Sequence, residues 1–149
     1  MLDQATQIKN GSGFIAALDQ SGGSTPKALG LYGVDASSYG SEAEMFAEVQ
    51  RMRERIILSP DFDSKKVIGA ILFERTMEEH INGKPVAHYL WEDTGVVPFL
   101  KIDKGLEDEV DGIQLMKPMP ELEATLAKAK KAGIFGTKER SFITSANPA

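Results

Sequence analysis

Residues 67–74 read VIGAILFE: apolar side chains run without a break from Val67 to Phe73 and stop at a carboxylate, Glu74. A continuous apolar run of this length suits a strand buried on both faces, the usual condition in a parallel sheet. The same pattern recurs on either side of it. Residues 14–19 read FIAALD, apolar from Phe14 to Leu18 and closed by Asp19. After Gly95 comes VVPFLKIDKG, apolar up to Lys101, with Asp103 two residues further on. Pro98 removes a ladder donor from that segment, but its apolar flanks keep the strand. Residues 134–140 read IFGTKER and end on Lys138 and Arg140.

Helical patterns fill the gaps between these runs. After Asp19, the stretch SGGSTPKAL reads as a Gly-rich turn leading into a short helix through Gly30, with Ser24 or Thr25 as N-cap and Pro26 in the first turn. Residues 31–40 read as loop. Ser41 and Glu44 form a capping box. Beyond it Met45, Phe46, Val49, Met52 and Ile56 repeat at helical spacing, with Glu48, Arg51, Arg53 and Glu54 on the opposite, polar side. This predicts a helix over 42–58, ended by Ser59-Pro60. A weaker helix is expected over 75–81, broken at Asn82-Gly83, and another over 85–93. Residues 106–118 read as irregular loop. Pro120 opens a last helix, with Glu121 and Glu123 early and Lys128, Lys130 and Lys131 late, a polarity that complements the helix dipole. Leu122, Leu126 and Ala129 form its apolar face and Gly133 its cap. Residues 1–12 suggest one helical turn, and residues 144–149 the start of another loop or helix.

The resulting order, β-α-β-α-β-α-β, implies parallel strands joined by helical crossovers. A doubly wound open sheet and a (β/α) barrel both satisfy it. The chemistry of the strand ends bears on the choice, because each ends in charge and a barrel gathers its strand ends around one pocket. The 149 residues suit one ordinary domain, whereas a complete barrel of this kind takes about 250.

Composition removes several classes. With 17 Lys plus Arg against 22 Asp plus Glu, the net charge is −5, and no block of like charge offers a nucleic-acid surface. No apolar run approaches the roughly 18 residues of a membrane span. The start MLDQATQIKNGSG lacks an apolar signal core, so a cytoplasmic location is expected. There is no cysteine, which excludes disulfides, thiolate metal sites and a cysteine nucleophile. His80 and His88 are eight apart without an HExxH pattern, and Asp61-Phe-Asp63 lacks the rest of a calcium loop. No metal and no cofactor are expected.

The candidate site residues follow from the strand ends. Asp19 can serve as acid, base or substrate anchor, or simply as a turn residue. The segment Gln20-Ser21-Gly22-Gly23-Ser24 can cradle a phosphate at a helix start, or be an ordinary βα turn. Lys101 and Asp103, and again Lys138 and Arg140, lie two apart and so face one side of a strand. Cations aimed together call for an anion between them, which favours a phosphorylated or carboxylated substrate.

Taken together, FIAALDQSGGSTPKAL, VIGAILFERTM, GVVPFLKIDKG and GIFGTKERS resemble class I fructose-1,6-bisphosphate aldolase of the shorter bacterial type, from about residue 8 to the last residue. The resemblance implies a (β/α)8 TIM barrel, of which residues 1–149 would be the N-terminal half, about four βα units of eight. It implies a metal-independent Schiff-base mechanism that cleaves fructose 1,6-bisphosphate to dihydroxyacetone phosphate and glyceraldehyde 3-phosphate in glycolysis. Asp19 matches the family's active-site aspartate, and Ser21 and Ser24 fall in its phosphate-contacting loop, with Gln20 where the family carries an acid. Lys101 matches the lysine beside the Schiff base. Lys138 matches the first residue of a K-x-R pair that assists proton transfer and binds substrate, and Arg140 the last.

The family's Schiff-base lysine and acid/base glutamate lie on later strands. The 149-residue chain is therefore expected to be a fragment, inactive alone, with open sheet edges that invite the missing C-terminal half barrel or self-association. Two other readings stand beside this one: another Schiff-base sugar-phosphate aldolase, and a non-catalytic half barrel that binds sugar phosphates.

Overall fold

The computed structural model describes residues 3–144. In chain order it contains α1 (Gln4–Asn10), β1 (Phe14–Leu18), α2 (Ser24–Tyr32), α3 (Glu42–Ile57), β2 (Val67–Leu72) and α4 (Glu74–Glu78). There follow a hairpin of β3 (His80–Ile81) and β4 (Lys84–Pro85), then α5 (Val86–Tyr89), which runs on into a π-helical turn, Leu90–Thr94. The chain continues through β5 (Val97–Lys101), β6 (Ile113–Gln114), α6 (Leu122–Lys131), β7 (Gly136–Lys138) and β8 (Phe142–Ile143). Most of residues 144–149, expected to begin a further element, lie outside the described part.

The four apolar runs form one parallel sheet in the order β1-β2-β5-β7. Strand order equals chain order, so every crossover joins adjacent strands and the sheet always grows at the same edge. Leu18, Ala70, Leu72, Leu100 and Ile102 face one way and pack with Ile57, Met77, Leu90 and Ala129 from the helical side. A smaller cluster of Leu29, Val49 and Met52 joins α2 to α3.

The opposite sheet face carries Ile15, Ile71 and Phe99, which line an open concavity of about 380 Å³. Ile15 is 46% exposed there. Burial on both faces, expected from the apolar runs, is thus met in the middle of the sheet but not at β1. That strand is an edge, and its inner side faces nothing. A doubly wound sheet would carry helices on both faces; a single helical layer around a concave face is the arrangement of a barrel wall. Phe99 fills part of the concavity, edge-on to Phe135 with ring centroids 5.6 Å apart. Gly69 and Gly136 make room for it, since a Cβ on either would fall 3.0 Å or 3.1 Å from the ring.

Pro98 sits within β5 at no cost to the ladder. Its carbonyl accepts from Phe135 N–H at 2.9 Å, so its missing N–H would point the same way, to the level below the start of β7. Two helix assignments need correction. The segment 75–81 is helical only to Glu78, and Asn82-Gly83 is the turn of the β3–β4 hairpin rather than a helix break. Both turn residues have positive φ, 51° and 77°, as a two-residue hairpin of this type requires. In α6 the buried stripe is Thr125 and Ala129, with Leu122 beside them, while Leu126 is exposed.

Candidate active site

The strand register builds the site. Leu18 pairs with Leu72, Leu72 with Leu100, and Leu100 with Thr137, forming one row across the sheet. Leu18, Leu72 and Leu100 point into the helical core. Because side chains alternate along a strand, the next residue on each strand turns to the inner face. That second row is Asp19, Phe73, Lys101 and Lys138, of which Lys101 and Lys138 are direct register partners. All four line a single cavity of about 660 Å³.

The other sequence-derived candidates reach the same cavity. Ser21, Ser24 and Arg140 line it, so all six site residues are brought together. Glu74, Asp103 and Lys104 also contribute. The walls therefore hold three carboxylates and four cations, a net positive surface in a chain of net charge −5.

The carboxylates lie between the lysines. Lys138 Nζ stands 3.0 Å from Asp19 Oδ2 and 4.0 Å from Asp103 Oδ2. Lys101 Nζ donates to the Asp103 carbonyl at 2.8 Å and lies 3.2 Å from Asp103 Oδ1. Asp103 is 5% exposed and Asp19 9% exposed. The anion that the paired cations call for is therefore supplied in part by the protein's own carboxylates. Arg140 forms no ion pair among the described residues and lies exposed at the rim. Glu74 pairs with Lys128 at 3.2 Å, outside the cavity, and with Lys104 at 3.6 Å on its wall.

The serine turn is closed on itself. Ser24 Oγ donates to the Ser21 carbonyl at 2.8 Å and accepts Ser21 N–H at 3.2 Å. Helix α2 begins at Ser24 with Gly23 as N-cap and no side-chain cap, so neither Ser24 nor Thr25 plays that part. Thr25 is fully buried instead.

Asp103, tied to Lys101 in the sequence by its spacing of two, lines the cavity with it. Arg53 lies behind the cavity, outside its lining, and the sequence reading does not single it out. Arg53 was assigned to the polar side of α3, yet it is 2% exposed. Its signal was present: Val49, Met52, Arg53 and Ile57 form the buried stripe of α3, and Arg53 holds the i+4 position from Val49. Burial pushes its guanidinium down to about 10, partly offset by the nearby charge of Asp19. It remains charged at neutral pH.

Chemically, this arrangement can bind an anion at Arg140 and the lysines and can pass a proton between Lys138 and Asp19. It also places positive charge where a further amine entering the cavity would be driven toward its neutral, nucleophilic form. Among the described residues no group of three His, Asp or Glu is placed to hold a metal ion. None of the described helices is long and apolar enough to cross a membrane.

No protein-family model matches the chain. It is 56% identical over 147 residues to a class 1 fructose-bisphosphate aldolase of Synechocystis sp., a match covering 99% of this chain and 49% of the relative. It is 54% identical over 145 residues to a class 1 fructose-bisphosphate aldolase of Porphyromonas gingivalis, covering 97% of this chain and 50% of the relative. The fold is similar to that of fructose-bisphosphate aldolase from Plasmodium falciparum, solved in complex with TRAP and a small-molecule inhibitor. That superposition has a TM-score of 0.69 at 21% identity and covers 92% of this chain and 38% of the other. The four-stranded wall thus has a structural counterpart, and the chain, which spans about half the length of the curated relatives it matches, belongs to the class 1 fructose-bisphosphate aldolase family.

Proposed function

We propose that this chain supplies one half of the active site of a Schiff-base aldolase that cleaves fructose 1,6-bisphosphate to dihydroxyacetone phosphate and glyceraldehyde 3-phosphate. In this reading residues 1–149 are the first half of a single (β/α)8 barrel. The supporting observation is the common row of Asp19, Lys101 and Lys138 at the strand ends, with Ser21, Ser24 and Arg140 on the same cavity.

The roles follow from the chemistry. Family resemblance puts the lysine that attacks the ketone on the other half. Lys101 and Lys138, as neighbouring cations, depress that amine's pKa and so keep it nucleophilic. Once the iminium forms, it draws off the electrons of the bond between carbons three and four of the sugar. Asp19, 3.0 Å from Lys138, anchors a substrate hydroxyl and exchanges a proton through that contact. Arg140 and the Ser21–Ser24 turn hold phosphate. The partner is a complementary half barrel that closes the β1 and β7 edges and covers Ile15 and Phe99. Without it the chain is inactive.

The test is a chimera in which this chain replaces the matching half of the Synechocystis relative. It should cleave fructose 1,6-bisphosphate in a coupled assay and be trapped covalently by borohydride. Lys138→Met should lower turnover by about 10²–10⁴-fold. The 149-residue chain alone should show neither turnover nor trapping. An inactive chimera, or an active Lys138→Met variant, overturns the proposal. Calorimetric binding of the bisphosphate by the chain alone would favour the non-catalytic binding half barrel.

A further inference from the structure

Arg53 is the largest fully buried side chain of the described residues. It occupies a position on the apolar stripe of α3 where a leucine or methionine would pack at lower desolvation cost. Among the described residues no carboxylate lies within ion-pair distance of it, and its Nε has no partner. Its terminal nitrogens, by contrast, are both used. Nη1 donates to Thr76 Oγ1 at 2.8 Å, and Nη2 donates to the carbonyl of Gln20. Thr76 is fully buried in α4, directly beyond the end of β2. Gln20 is the residue after Asp19 at the end of β1.

One buried guanidinium therefore ties together the ends of two adjacent strands, and both ends line the charged cavity. The same turn is held from the other side by Gln20 Nε2, which donates to the Ala17 carbonyl at 2.8 Å. No side chain of α3 is among the described residues that line the cavity, and Arg53 meets its wall at the Gln20 carbonyl.

We infer that Arg53 is a positioning residue of the site: from behind the sheet it fixes the Gln20 carbonyl, and through it the Asp19 carboxylate and the 20–24 turn. The fixation of the turn stands on geometry alone, while its catalytic consequence rests on the aldolase reading above. Without the Nη2 donor, the Gln20 peptide can rotate, and Asp19 leaves its place opposite Lys138. A lysine at position 53 reaches one of the two anchors and restores part of the effect. A Thr76→Val change removes the second anchor and leaves the charge in place.

Two measurements test this, one of which does not depend on activity. In the 149-residue chain, amide hydrogen exchange of Ser24 and Thr25, whose N–H groups bond Ser21 and Gly22 carbonyls, should quicken about tenfold in Arg53→Met. A smaller acceleration is expected in Arg53→Lys and Thr76→Val, with β5 amides unchanged in all three. If Arg53→Met fails to fold, the other two variants carry the comparison. Turn amides that are accelerated no more than the β5 amides in these variants overturn the inference.

In the active chimera, Arg53→Lys should lower kcat by about tenfold in the presence of Asp19, and by less than about twofold in an Asp19→Asn background. Equal losses in the two backgrounds mean that Arg53 does not act through Asp19, and refute that step. A chimera with no turnover even before mutation defeats the aldolase reading, while the exchange measurement still decides whether Arg53 holds the turn.

Discussion

Asp103 is the side chain on which the charged row depends most, and replacing it by asparagine removes its charge without changing its shape. In the native cluster, Asp19 and Asp103 balance Lys101 and Lys138. Asp103→Asn leaves two lysines facing one carboxylate. The attraction of unit charges at the 3.2 Å separation of Asp103 and Lys101 is about 5 kcal/mol at an effective dielectric of about 20. Most of it is offset by the desolvation of a carboxylate only 5% exposed. Lys101 also keeps its 2.8 Å bond to the Asp103 carbonyl, which the mutation does not touch. A net loss of about 2 kcal/mol remains, below the roughly 3–5 kcal/mol that breaking a buried pair costs, because the carbonyl bond still holds Lys101.

Urea unfolding followed by circular dichroism should show this as a midpoint about 1 M lower, given an m-value near 2 kcal/mol/M. The variant should also respond more strongly to inorganic phosphate than the native chain does, because the anion now supplies the missing negative charge. Stabilisation should rise with the logarithm of phosphate concentration once the site fills. An unchanged midpoint, or a phosphate response equal to the native one, refutes the claim that Asp103 neutralises the lysines.

Two further predictions concern the elements that carry the site. Asp3 N-caps α1, accepting Thr6 N–H at 2.7 Å, and that backbone bond holds its carboxyl below the ordinary 3.8. Its charged-state advantage is therefore complete above pH 3.8 and is lost as the pH falls through the lower folded value. Asp3→Asn keeps the acceptor but not the charge, so thermal melts should separate the two proteins at neutral pH and converge in acid; a gap independent of pH would contradict this. A Cβ at Gly13 would lie 2.4 Å from the Lys66 carbonyl oxygen, whereas one at Gly23 meets open space. Gly13→Ala should cost about 1–3 kcal/mol in urea unfolding and Gly23→Ala less than about 0.5 kcal/mol; equal effects would count against the close approach of β1 to Lys66.

The β-α alternation, the four strands and their charged ends were readable residue by residue. Continuous apolar runs and capping signals are local, and a chain of this kind has few ways to satisfy them. The hairpin at 80–85 was equally local. Its Asn82-Gly83 signal is visible but reads equally as a helix break, because the run before it is short and mixed. Leu126 and Arg53 went wrong for a shared reason. Hydropathy assigns a face to a side chain by type, while the structure assigns it by helix rotation, which is set by the neighbouring sheet. The stripe of α3 passes through position 53 whatever residue is there.

The local order of residues is enough to specify parallel strands ending in Asp19, Lys101, Lys138 and Arg140, because an apolar run can stop only where the chain meets water or a charged partner. Tertiary structure decided what those ends do together. Register placed Lys101 directly beside Lys138, curvature left one sheet face uncovered, and the loop after β5 inserted Asp103 between two lysines. Pairing across more than a hundred residues, as between Asp19 and Lys138, leaves no local trace. It depends on which strands become neighbours, and that is settled by the packing of the whole core.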